Sequence, residues 1–89
     1  MKISQPQSTR VLRWVFRRSN DAITCEIDAT GDRAFDVCIV PHWDVSAATI
    51  ERFDAEYRAF ERHAELARRL REAGWVRAIG TIVPDAAAA

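Results

Sequence analysis

Three short runs alternate large apolar residues with polar ones, and the spacing then changes to that of a helix, which limits this chain to a sheet with a helix laid on it. The runs are Leu12-Arg13-Trp14-Val15-Phe16, Ile23-Thr24-Cys25-Glu26-Ile27 and Phe35-Asp36-Val37-Cys38-Ile39, each with the period of two that puts alternate side chains on one face of a strand. From Tyr57 onward the apolar residues recur as Tyr57, Phe60, Ala64, Ala67 and Leu70, with Leu66 beside them and Arg or Glu between, the stripe of an amphipathic helix. The fold class that follows is α+β, an antiparallel meander of three or four strands with one long helix packed on one face.

Turn chemistry sets the pairing. A two-residue Ser19-Asn20 turn places Phe16 opposite Ile23, Trp14 opposite Cys25 and Leu12 opposite Ile27. Thr30-Gly31-Asp32 closes the next hairpin, with Gly31 expected to supply a positive φ, and a three-residue loop aligns Ile27 with Phe35, Cys25 with Val37 and Ile23 with Ile39. A two-residue Gly31-Asp32 turn would instead set Cys25 opposite Cys38 and move Phe35, Val37 and Ile39 to the other face. Burying each such side chain is worth about 1.5 to 3 kcal/mol, which outweighs a cysteine contact. The expected floor is therefore Leu12, Trp14, Phe16, Ile23, Ile27, Phe35, Val37 and Ile39, roofed by Tyr57, Phe60 and Leu70. The open face then carries a row of Val15, Thr24 and Cys38, and another in which Arg13 faces Glu26 with Asp36 next.

Ile50 and Phe53 extend the helical stripe back to an N-cap at Ser46, giving a helix of about 40 Å over strands of only about 27 Å. A short fourth strand near Ala48 to Phe53 avoids that overhang, with Asp54 as N-cap and Ala55 and Glu56 in the first turn. Gly74 suits the left-handed residue after the last turn, and Trp75 is placed to fold back on Leu70 or Arg71. Residues 76–83 read as a final strand or an ordered extension, weakened by Gly80 and ended by Pro84.

Eighty-nine residues hold one core. Residues 1–9 read as a flexible arm, 10–84 as the domain and 85–89 as an Ala-rich tail. The sequence shows no apolar run suited to a membrane or an export signal. Two cysteines are too few for a disulfide scaffold, so a cytoplasmic setting with reduced thiols is expected. Twelve of the thirteen basic residues are arginine and alanine is abundant, a bias expected of a GC-rich bacterial genome. The formal net charge is zero, which removes the bulk electrostatic case for a nucleic-acid or anionic-membrane protein. Charge is nevertheless segregated: residues 1–20 carry five basic residues and no acid, and residues 21–56 carry nine acids against two arginines.

The stretch Phe60-Glu61-Arg62-His63-Ala64-Glu65-Leu66-Ala67-Arg68-Arg69-Leu70-Arg71-Glu72-Ala73-Gly74-Trp75, preceded by Phe53-Asp54, resembles the end of small bacterial proteins of unknown function in which a β-meander is followed by one helix and a Gly-Trp stop. The likeness spans about thirty residues; it implies a fold and a bacterial source, and supplies no catalytic residue.

No glycine-rich phosphate loop, paired catalytic carboxylates or Ser-His-Asp spacing is present, so no enzyme is expected. Cys25, Cys38, His42 and His63 lack the C-x-x-C spacing of a zinc site, and neither metal nor cofactor is expected. A nucleophile pair of Cys38 and His42 would need the histidine to turn back onto the strand, with Asp44 close in sequence. The basic, aromatic strand offers Arg10, Arg13, Arg17 and Arg18 to a single-stranded nucleic acid, but the register puts Trp14 and Phe16 in the core and Arg13 beside Glu26. Trp43, in the string Pro41-His42-Trp43-Asp44, either caps the edge of the core or is exposed for a partner. The sequence thus reads as a small cytoplasmic interaction or structural module that self-associates as a homodimer or holds a protein partner. Its contact candidates are Trp43, His42, Val15 and Cys38. Weak binding of single-stranded nucleic acid is the alternative, and no membrane association is expected.

Overall fold

Both periodicities are realised in the computed structural model, which describes residues 8–82; residues 1–7, Pro84 and the Ala-rich tail lie outside the described residues. Strand β1 (Thr9–Arg18), β2 (Asp21–Ala29), β3 (Phe35–Pro41) and β4 (Thr49–Phe53) form an antiparallel meander, α1 (Glu56–Glu72) follows, and β5 (Val76–Ile82) closes the chain. Five strands lie side by side in the order β4-β3-β2-β1-β5. The fifth strand pairs with β1, so β1 is an interior strand and, among the described residues, β4 and β5 are the edges. Its first residue, Thr9, falls inside the stretch read as an arm.

The β1–β2 pairing is the expected one: Leu12 with Ile27, Trp14 with Cys25, Phe16 with Ile23. Ser19 takes the positive φ of 54° in the connecting turn, the conformation a two-residue hairpin needs at its first central position. Val11 is the extra residue of a bulge between Arg10 and Leu12, and it packs toward the helix-side core. The β2–β3 pairing differs from expectation. Phe35, Val37 and Ile39 do lie on the core face, but two residues further along, opposite Ala29, Ile27 and Cys25. The loop runs from Thr30 to Ala34 because Thr30 closes it: its amide donates to the Ala34 carbonyl at 2.8 Å, and its hydroxyl accepts from the Ala34 amide and donates to the Asp32 carboxylate. Arg33, with φ 69°, takes the left-handed position expected of Gly31.

Beneath the helix the core fills with Leu12, Ile27 and Val37 at one end and Phe16, Cys25 and Trp75 at the other. The roof is not the expected one. Tyr57 is 68% and Phe60 39% exposed, while Ala59, His63 and Ala67, spaced four apart, are buried, with Leu66 and Leu70 packed beside them. Two alanines let the helix approach closely, and Arg62 fixes its rotation through a bidentate bond to Glu51 of β4 at 2.8 and 3.1 Å. The large rings are thereby turned to one flank.

The N-cap is Ala55, one residue beyond the expected Asp54, and it makes no side-chain cap bond; an Asp54–Arg58 ion pair is absent among the described residues. At the other end the sequence signal is realised in full. Gly74 has φ 95°, Trp75 N–H donates to Leu70 O at 2.9 Å and Gly74 N–H to Arg71 O at 3.0 Å, the paired bonds of a Schellman stop.

Candidate functional site

The helix-free face of the sheet is built from the residues that alternate with the core. Cross-strand register places Val40, Thr24, Val15 and Ile79 in one row and Ile50, Cys38, Glu26, Arg13 and Thr81 in the next. The row expected to hold Val15, Thr24 and Cys38 is thus corrected: Val40 takes the third place, because β3 is shifted by two residues, and Cys38 follows Glu26 where Asp36 was expected. Val15 and Thr24 are each only 5% exposed, so Val15 presents little surface to a partner.

Charge dominates the other half of this face. Glu26 Oε1 lies 3.7 Å from Arg10 Nε and 3.8 Å from Arg13 Nε. Arg52 donates to both oxygens of Asp36 at 2.8 and 3.2 Å and sits 3.6 Å from Asp32. Asp28 is pushed up to about 7 by burial and by the neighbouring Glu26 carboxylate, with Arg10 and the Cys38 thiol acting in the opposite sense. The Cys38 thiol donates to Asp28 Oδ2 at 3.8 Å. Burial, then Asp28, Glu26 and Asp36, push Cys38 up to about 12, so at neutral pH it is a thiol and a poor nucleophile. His42 does not approach it: His42 Nε2 and Thr24 Oγ1 share a hydrogen bond of 2.7 Å, and Asp44 is used locally, accepting from the Ser46 amide and hydroxyl.

Three of the four arginines offered to nucleic acid are engaged within the fold. Arg10 and Arg13 flank Glu26, and Arg18 donates from Nη1 to the Ala73 carbonyl at 2.8 Å while its guanidinium lies 4.6 Å from the Trp75 ring. Only Arg17 lacks an acidic or aromatic partner among the described residues. Trp14 is covered in part by Arg77, 4.4 Å above the ring, and by His63, packed against it in a T-shape with ring centroids 5.1 Å apart.

The cysteines lie on opposite faces, as the pairing required. Cys25 is buried and pushed up to about 11 by that burial. His63 Nε2 donates to the Cys25 carbonyl at 3.1 Å. Among the described residues no three His, Cys, Asp or Glu side chains are placed to hold a metal ion, and no helix is long and apolar enough to cross a membrane. A shallow cavity of about 430 Å³ opens between Ala34, Arg52, Phe53, Asp54 and Arg58. Arg52 is already held by Asp36 and Asp32, and Asp54 adds a carboxylate to the lining, which leaves no clear excess of positive charge for an anion.

Large apolar side chains are exposed at several separate places among the described residues. Trp43 is 57% exposed yet held in place, its ring stacked on the buried Trp75 at 6.1 Å with a 17° tilt. Trp43 therefore both caps the edge of the core and presents surface to solvent. Val45, Ile50 and Val76 are also exposed, as are Tyr57 and Phe60 on the helix flank. Sequence reasoning singled out Trp43 but placed Tyr57 and Phe60 in the core; the bidentate Arg62–Glu51 pair that turns them outward is a tertiary contact between residues eleven apart and leaves no local signature. No protein-family model, no curated protein and no solved structure matches this chain.

Proposed function

We propose that this chain is a small interaction module that binds by protein contact and self-associates, in the reduced cytoplasm of a bacterium. The observation that carries this reading is that six large apolar side chains stay exposed among the described residues while others form the core beneath α1. Phe16 and Ile27 are completely buried there, while Tyr57 and Phe60 lie outside the buried set and Trp43 caps its edge with more than half of its own surface exposed. Large exposed aromatics that are held rigid are what contact surfaces favour, because little rotamer entropy is lost when they bind. Trp43, anchored by Trp75, fits that description, and a domain of this size gains stability by association.

Light scattering of the pure protein from micromolar to millimolar concentration tests the reading. A mass that rises to twice that of the chain is expected. A strictly monomeric mass throughout, with no protein retained by the chain, contradicts it.

A further inference from the structure

The two ends of the sheet are not equivalent, and the difference points to how copies meet. The strand order leaves β4 and β5 as edges, each with a row of backbone N–H and C=O groups lacking a strand partner among the described residues. Such a row is a template for another strand unless it is short, bulged or charged. The β4 edge is short and guarded. Of its residues Thr49–Phe53, Glu51 is tied to Arg62 and Arg52 to Asp36 and Asp32, so a strand docking there meets fixed charges.

The β5 edge is not guarded in this way. Its residues Val76–Ile82 include one charge, Arg77, whose guanidinium lies over the Trp14 ring of the neighbouring strand. Val, Ile and Thr, the residues that favour extended backbone, make up four of its seven positions, and no proline interrupts it. A bulge at Ala78, between the pairs Val15–Ile79 and Phe16–Arg77, leaves Ile79–Ile82 as the uninterrupted part.

We propose that the β5 edge is where a second copy of this chain adds, its own β5 antiparallel to the first, to make one continuous ten-stranded sheet. Antiparallel self-pairing is the arrangement that a two-fold axis closes; pairing β5 with a neighbour's β4 would leave free edges at both ends and grow into a filament. In the closed dimer both outer edges are β4, whose paired charges oppose further addition. The inference rests on the self-association reading and deepens it by naming the surface. One edge strand makes an interface below the standard of about 800 Å² per partner, so dissociation on the order of micromolar is expected.

The test uses the full chain. Single cysteines I79C, G80C and T81C, each in a C38S background, are oxidised mildly above the dissociation constant; at least one is expected to yield a covalent dimer, and I50C on β4 none. I79K is expected to weaken association at least tenfold in sedimentation, while I50K leaves it unchanged and both keep the far-ultraviolet spectrum of the parent. If the parent associates but no β5 cysteine cross-links, this inference is overturned and self-association stands. If the parent never associates, the self-association reading itself fails.

Discussion

Phe16→Ala is expected to lose about 3 to 5 kcal/mol of unfolding free energy. The side chain has no exposed surface and packs in the cluster that joins Cys25 of β2, Ala67 of α1 and Trp75. Removing the ring therefore opens a cavity between three elements that cannot all collapse into it. A domain of this length has about 5 to 15 kcal/mol in total, so the variant is left near its threshold. Phe16→Leu, which keeps most of the volume, is expected to cost under about 1.5 kcal/mol. Urea titration by circular dichroism measures both, and a loss below about 1 kcal/mol for the alanine variant would mean that β1 does not face the helix.

The second large effect is at His63. Its ring is 2% exposed, packs in a T-shape with Trp14 and donates to the Cys25 carbonyl. Truncation to alanine removes packing and a buried hydrogen bond together, for an expected loss of about 2 to 4 kcal/mol; His63→Gln, which keeps an N–H donor, should recover part of it. Burial holds the imidazole below its ordinary value of 6.5, against the smaller opposing effect of the Cys25 carbonyl. The unfolded chain thus takes up a proton below about pH 6.5 while the native state resists it, and stability falls as pH drops through that value, by at most about 1.4 kcal/mol per pH unit.

Asp28 acts in the opposite direction. With its native value raised from 3.8 to about 7, the folded state binds the extra proton between those limits, so this contribution to stability is present at low pH and is lost as pH rises toward 7. Subtracting the pH profile of His63→Gln from that of the parent isolates the histidine, and a difference that is flat between pH 5 and 7 would contradict its assignment.

How much of this was legible in the sequence depended on how local each cause is. The β1–β2 register follows from the Ser19-Asn20 turn alone, and the end of α1 from Gly74 and Trp75, since each is decided within a few residues. The face of β3 was legible from alternation, because a slip of one residue would expose Phe35, Val37 and Ile39 together. Its register was not, because a slip of two keeps the same face, and the loop length is set by the Thr30 side chain bonding across to Ala34. The rotation of α1 was hidden for a different reason. Tyr57 and Phe60 satisfy the helical period as well as Ala59 and Ala67 do, and the choice falls to the Arg62 clamp and to a histidine whose polarity is met by a backbone carbonyl. Of the site residues, Trp43 announced itself as a tryptophan in a polar loop. The β5 edge became visible only once β5 was seen to pair with β1 rather than to stand alone.

Amide hydrogen exchange of the parent protein at two concentrations, far below and far above the dissociation constant, tests association through the sheet edge most directly. Amides within Ile79–Ile82 are expected to exchange more slowly in the concentrated sample while those of Thr49–Phe53 are unaffected. Equal exchange of the β5 amides at both concentrations, in a sample shown to be dimeric at the higher one, would contradict it.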